Sequence, residues 1–207
     1  MTTDTVLEGR VVRLEPLGMQ HVAGLVRAAA VDPSIYRWSP VPRDTDEAAQ
    51  YVATAVGWRE QGTAVPYAIV RRDDDTVIGS SRFFELTRWA WPPGHPASGR
   101  DEPDVGEIGY TWYAADATRT AANTEAKLLM LTQAFETWRM LRICLHSDAR
   151  NERSRAAIER IGGRFEGILR AHRLAADLIP RDSARYAILA EEWPAVKDRL
   201  RRYLARS

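Results

Sequence analysis

The residues whose types and spacing could do chemistry lie between Val105 and Gly163. Glu107 stands alone in an otherwise uncharged segment, residues 105–113 (VGEIGYTWY). A carboxylate there either accepts a proton or pairs with an arginine. Further on, Arg119, Thr120, Ala121, Ala122, Asn123 and Thr124 lead into a helical pattern. The amides of a helix's first turn have no intrahelical partner, and the macrodipole adds positive charge, so this run is the place for a phosphate. Asn151 suits the cap of a later helix, on which Ser154, Ile158 and Ile161 share its face. Ser154 should then point inward, or else bond to its own helix backbone.

Those groups need elements to hold them. Residues 105–113 and 141–146 read as strands, 123–138 and 151–161 as helices, giving a βαβ unit with the anion site in its first turn. Strict alternation puts Glu107, Gly109 and Thr111 on one face of the strand and Ile108, Tyr110 and Trp112 on the other. Upstream, residues 11–14 predict a strand, residues 19–30 a helix with Val22, Leu25 and Val26 on one face, and Asp32-Pro33 a break. A second helix starts near Thr45, its N-cap, and places Ala48, Tyr51, Val52, Ala55 and Trp58 at helical spacing as core contacts. Residues 65–70 and 76–84 form a hairpin around Arg72 to Asp75. Residues 164–170 and 185–189 predict a last strand pair across a longer loop, and Pro194 opens a basic closing helix.

Between Thr87 and Asp104 the pattern is irregular, with Pro92, Pro93, Pro96 and Pro103 alongside Trp89 and Trp91. A loop this long inside a domain is usually functional or disordered. With Tyr36 and Trp38 of the earlier aromatic loop, these tryptophans are candidate acceptor contacts. Trp89 and Trp91 could equally mark a homodimer surface.

The 207 residues suit one α/β domain, here residues 1–207 with an insertion at 87–104. A net charge of +1 gives no field for nucleic acid. The single cysteine, Cys144, excludes an internal disulfide and reads as a buried strand residue in a reducing compartment. The four histidines, at 21, 95, 146 and 172, lack metal-ligand spacing, and His21 reads as solvated or capping. No apolar run approaches the roughly 20 residues of a membrane span. No signal peptide is visible, so a cytoplasmic location is expected.

Residues 107–110 (EIGY), 123–127 (NTEAK), 134–136 (AFE) and 148–155 (DARNERSR) resemble the GNAT acetyltransferase superfamily, and within it the RimJ/RimL-type N-acetyltransferases. The resemblance reaches residues 7–16 (LEGRVVRLEP) and 192–194 (EWP), and so spans almost the whole chain. It implies an α/β (α+β) GNAT fold, a twisted mixed β-sheet with splayed central strands flanked by helices. It also implies transfer of an acetyl or similar group from acetyl-CoA to a primary amine by direct attack. The acceptor would be a small amine or a peptide N-terminus.

The resemblance gives each residue a role. Glu107 would be the base, Ser154 would assist the departing thiolate, and residues 119–124 with Asn151 and Ser154 would hold coenzyme A. Two positions depart from the family pattern. Asp116 and Arg119 stand where it has a polar or basic residue and a glycine, and Ile158 stands where many members carry an acidic tyrosine. An acyl-CoA-binding module without turnover is the alternative that these departures support.

Overall fold

The computed structural model describes residues 5–175 and 177–206. Its strands are β1 (Leu7–Glu8), β2 (Val12–Pro16), β3 (Ala64–Arg71), β4 (Val77–Thr87), β5 (Val105–Tyr113), β6 (Arg142–Asp148), β7 (Arg164–Leu174) and β8 (Pro180–Leu189). They form one sheet in the order β1-β2-β3-β4-β5-β6-β8-β7. Every neighbouring pair is antiparallel except β5 and β6, which run parallel.

Helices cover the two faces unequally. The front face carries α1 (Val22–Ala30) and α2 (Thr45–Glu60), which bury Leu25, Ala48 and Val52 against Ala68 and Trp112. The back face carries α3 (Ala121–Thr132), α4 (Glu152–Arg160) and α5 (Trp193–Leu204), with Ala126, Met130, Ile158 and Leu200 against Tyr67, Phe83 and Ile143. After Thr132 the helix widens into a π turn, Gln133–Thr137. The cap of α2 is Asp44, whose carboxylate accepts the Glu47 amide, rather than Thr45.

α3 is fixed from its second turn by Glu125, whose buried carboxylate accepts the amides of Arg10, Val11 and Val12. Gly9 is needed beside it, because a Cβ there would lie 2.5 Å from the Glu125 carboxylate.

Two bulged strands change what the sequence pattern predicts. Between Gly109 and Trp112, β5 shifts register against β4, and Tyr110 takes φ +51°. Period-two alternation fails there. Tyr110 packs on Phe84, the partner of Glu107, and on Trp58 of α2, while Trp112 joins the front core. Glu107, Tyr110 and Trp112 thus share the front face. Thr111 turns backward with Ile108, where it meets Lys127 of α3.

The second correction concerns the last strands. Register shifts at Phe165/Gly167 and Leu169/Arg173 let β7 and β8 run much further than the apolar pattern suggests. Residues 171–174 and 180–184, expected as loop, are strand. Their far end bends over the front face, since Arg173 of edge strand β7 reaches Glu85 of β4 and Glu107 of β5.

Candidate active site

The ladder between β5 and β6 has only the pairs Val105↔Arg142, Gly106↔Ile143 and Glu107↔Cys144, after which the strands part. Glu107 therefore stands at the apex of a wedge. Only 2% of it is exposed. One Glu107 oxygen, Oε2, accepts from Arg173 Nη2 at 3.0 Å and lies 2.8 Å from His146 Nδ1. The histidine contact is not aligned as a hydrogen bond, and neither imidazole nitrogen has a hydrogen-bond partner among the described residues. Oε1 looks the other way, toward Gly109, where a Cβ would come within 3.5 Å of it and 2.8 Å of Phe84.

His172 approaches His146 with ring centroids 5.0 Å apart. Burial first, then the charges of Arg173 and His146, lower the pKa of His172. Sequence reading missed His146, His172 and Arg173. His146 had a usable signal: it stands two residues beyond Cys144, on the same face of β6 and facing the wedge. The other two sit in a stretch read as loop.

At the open end of the wedge, α3 begins. Arg119 occupies the position of the family glycine and has φ +61°, the left-handed conformation that glycine supplies at no steric cost. Thr120 is the N-cap, accepting the Ala122 amide at 3.2 Å and donating to Ala117 O at 2.8 Å. Asp116 does not oppose an anion unshielded, because Arg71 pairs with it at 2.7 Å. Thr124 is buried and its hydroxyl accepts from Arg160 at 3.1 Å, so its side chain faces α4. Asn151 caps α4, its Oδ1 accepting the Ser154 amide at 3.1 Å. Ser154 is half-buried one turn inside the helix. Left-handed turn, neutralised aspartate and parted strands together fit a phosphate-bearing acyl carrier lying in the wedge.

The four aromatic acceptor candidates do not converge. The Tyr36 hydroxyl donates to Tyr113 O at 3.0 Å, and the Trp38 ring lies between the guanidinium carbons of Arg37 and Arg150, at 4.8 and 4.7 Å. Both belong to the C-terminal ends of β5 and β6. Burial, helped by Asp32 and Asp116, pushes the Tyr36 pKa up to about 12. Trp89 and Trp91 lie at the opposite end of β5, roughly 25 Å away at 3.3 Å per residue. Buried Asp104 organises their loop, accepting the Trp89 amide at 2.7 Å, Trp91 Nε1 at 2.9 Å and Arg100 at 3.2 Å. Trp91 also stacks on His95. Trp89 remains 48% exposed.

Three further polar residues complete the picture. His21 is buried rather than solvated, and it caps as expected, accepting the Gly18 amide while its other nitrogen meets Glu15. Cys144 is half-buried on the front face, near Arg142 Nε at 3.2 Å and Arg185 Nη2 at 3.8 Å. Lys127 is enclosed behind the bulge, donating to Ser81 at 3.0 Å and Thr111 at 2.8 Å, and burial pushes its pKa down to about 7.

The acetyltransferase (GNAT) domain family matches residues 12–164. No curated protein matches. Among solved structures, a GCN5-related N-acetyltransferase from Brucella melitensis superposes with a TM-score of 0.81 at 28% identity, over 97% of this chain and 86% of that one. An acetyltransferase from T. thermophilus gives 0.76 at 35% identity, over 96% of both chains. Mycobacterium smegmatis RimJ, in complex with CoA-disulfide, gives 0.75 at 25% identity, over 94% of this chain and 90% of that one. None of the described helices is long and apolar enough to cross a membrane.

Proposed function

The chain belongs to the GNAT acetyltransferase family, and from that premise we propose that it moves an acetyl group from acetyl-CoA to a primary amine by direct attack. The observation that carries this reading is the placement of Glu107, a buried carboxylate at the point where β5 and β6 part. Beyond it each strand offers an unpaired edge within the sheet, on which the amides of a pantetheine arm can pair as an added strand would. Backbone amides of residues 119–124 hold the pyrophosphate, and the Arg119 guanidinium is free to pair with a phosphate. Asn151 and Ser154 line the thiol end.

The amine must be neutral to attack, so a group at the apex has to take its proton. Glu107 Oε2 is already engaged by Arg173 and His146, which leaves Oε1, facing Gly109 and the bulge, as the accepting atom. The nitrogen–carbonyl bond forms as the carbon–sulfur bond breaks. Ser154 stands in for the absent tyrosine at Ile158 by donating a hydrogen bond to the departing thiolate, which leaves as the anion and takes its proton from solvent.

The acceptor is a small amine or a peptide N-terminus, and likeness to RimJ supports the second. The experiment is thioester consumption from acetyl-CoA over a panel of amines and short peptides, with product masses recorded. Acetylated amine at a rate above the blank supports the enzyme. Tight acetyl-CoA binding with no acetylated product across the panel would instead support a binding module.

A further inference from the structure

One charge on the front face is unaccounted for by this chemistry. Arg82 of β4 is 1% exposed, yet it forms no ion pair among the described residues. Its guanidinium carbon lies over the rings of Tyr110, Tyr51 and Trp58, at 4.2, 4.8 and 5.2 Å. Those rings carry no acceptor for its N–H groups, and Nε and Nη2 are both buried without a hydrogen-bond partner. These two nitrogens form the side of the fork that grips a carboxylate with two parallel hydrogen bonds.

Burying an unpaired guanidinium is unfavourable, and cation–π contacts work against that penalty. The rings offset part of that cost and satisfy none of the N–H donors. Glu85 and Glu107 Oε2 pair with Arg173 instead, and among the described residues neither acid forms an ion pair with Arg82. Arg82 is also in register with Gly109, one pleat along the same face from Glu107. Glycine places no side chain between them. The outer ring of the box, Tyr110, is 38% exposed and comes from the bulge itself.

We propose that Arg82 is a specificity residue for the acceptor, its Nε–Nη2 edge binding a carboxylate that the acceptor carries a few bonds from its reacting amine. The proposal rests on the acyl-transfer reading above. It defines the acceptor as an amino-carboxylate: a free amino acid, or a peptide N-terminus followed closely by an acidic residue. The carboxylate sits in the aromatic box, and one pleat away the amine faces Glu107 Oε1.

The test compares matched acceptors with acetyl-CoA: amino acids against their amides, and C-terminally amidated dipeptides with aspartate in second place against those with asparagine. Charge-assisted hydrogen bonds of this kind correspond to roughly 10- to 100-fold in kcat/KM. The wild type should prefer the carboxylate member of one pair type by that factor, and the pair type tells free amino acid from peptide. Arg82→Gln should bring the ratio near one while acetyl-CoA affinity by calorimetry stays the same. Arg82→Lys keeps the charge without the fork and should lose most of the preference, which covers the case of a poorly folding glutamine variant. Equal rates for carboxylate and amide in the wild type, or a ratio untouched in both variants, would overturn the proposal.

Failure of the acyl-transfer reading is told apart by a titration that needs no turnover. Two matched pairs are added to the protein with coenzyme A, N-acetylalanine with its amide and C-terminally amidated N-acetyl dipeptides ending in aspartate or asparagine, with Trp58 fluorescence as the signal and Trp58→Phe as its control. A response to the carboxylate member alone of one pair, lost in Arg82→Gln, supports the site even if no amine consumes thioester. The same response to both members, or to neither, in each pair counts against it.

Discussion

At the scale of single residues, Glu107 and Lys127 are two buried titratable groups on opposite faces of one bulge. Glu107→Gln keeps the shape and removes the proton acceptor, so turnover should fall roughly 100- to 10,000-fold with acetyl-CoA affinity unchanged. Calorimetry beside steady-state rates checks both halves. Lys127 makes a stability prediction. Its folded pKa of about 7 lies below the ordinary 10.5. Below pH 7 both states hold the proton, and the cost of enclosing a charge is present in full. Between pH 7 and 10.5 only the unfolded chain holds it, so stability rises with pH, by at most about 1.4 kcal/mol per unit. Lys127→Met should remove that slope. Urea unfolding at pH 7 and pH 9 measures it, and parallel pH dependence in wild type and variant would show that the amine stays protonated.

At the scale of elements, the turn before α3 and the two bulged strands decide how the site is built. Arg119 holds a left-handed conformation that costs a non-glycine residue about 1 kcal/mol. Arg119→Gly should therefore raise stability by about that amount while weakening coenzyme A binding through loss of the guanidinium. Thermal melts and calorimetry separate the two, and unchanged affinity would mean that the backbone alone holds the phosphates. Much of this layout was legible in the sequence. The βαβ unit, the cap at Asn151 and the lone carboxylate of a strand follow from periodicity and residue type. What escaped has a common cause. The bulge at Tyr110 reverses the alternation, which put Tyr110 and Trp112 on the wrong face and hid the box around Arg82. The bulges in β7 concealed the strand that delivers His172 and Arg173. A bulge is set by partner strands distant in sequence, so no local pattern announces it. Lys127 escaped for another reason: its helix looks polar there, and only the hydroxyls of Ser81 and Thr111 show that it points inward.

At the scale of the whole molecule, the proposed reading divides the front face into a cofactor end and an acceptor end, and the aromatic loops fall on different sides of the wedge. Tyr36 and Trp38 lie at the C-terminal ends of β5 and β6, against Tyr113 and Arg150. The Trp89–Trp91 loop stands at the other end, beside the start of β5. Trp91 is bound to buried Asp104, so Trp91→Phe should destabilise the fold by about 1–3 kcal/mol by leaving a carboxylate oxygen short of a donor. Half-exposed Trp89 is the residue free to meet an acceptor or a second copy. Trp89→Ala should raise the acceptor KM and leave acetyl-CoA affinity alone. If it is a dimer contact instead, sedimentation will show the variant as a monomer and the parent as a dimer.

The central claim is that the carboxylate where β5 and β6 part removes the proton that frees the amine. It is tested most directly by single-turnover cleavage of bound acetyl-CoA, followed across pH in the wild type and in Glu107→Gln with one saturating amine. The wild type should turn over at neutral pH. The variant should recover only as the pH approaches the pKa of the free amine, where no base is needed. A variant that matches the parent at neutral pH, with the same pH profile, would contradict the claim and move proton removal to His146 or to water.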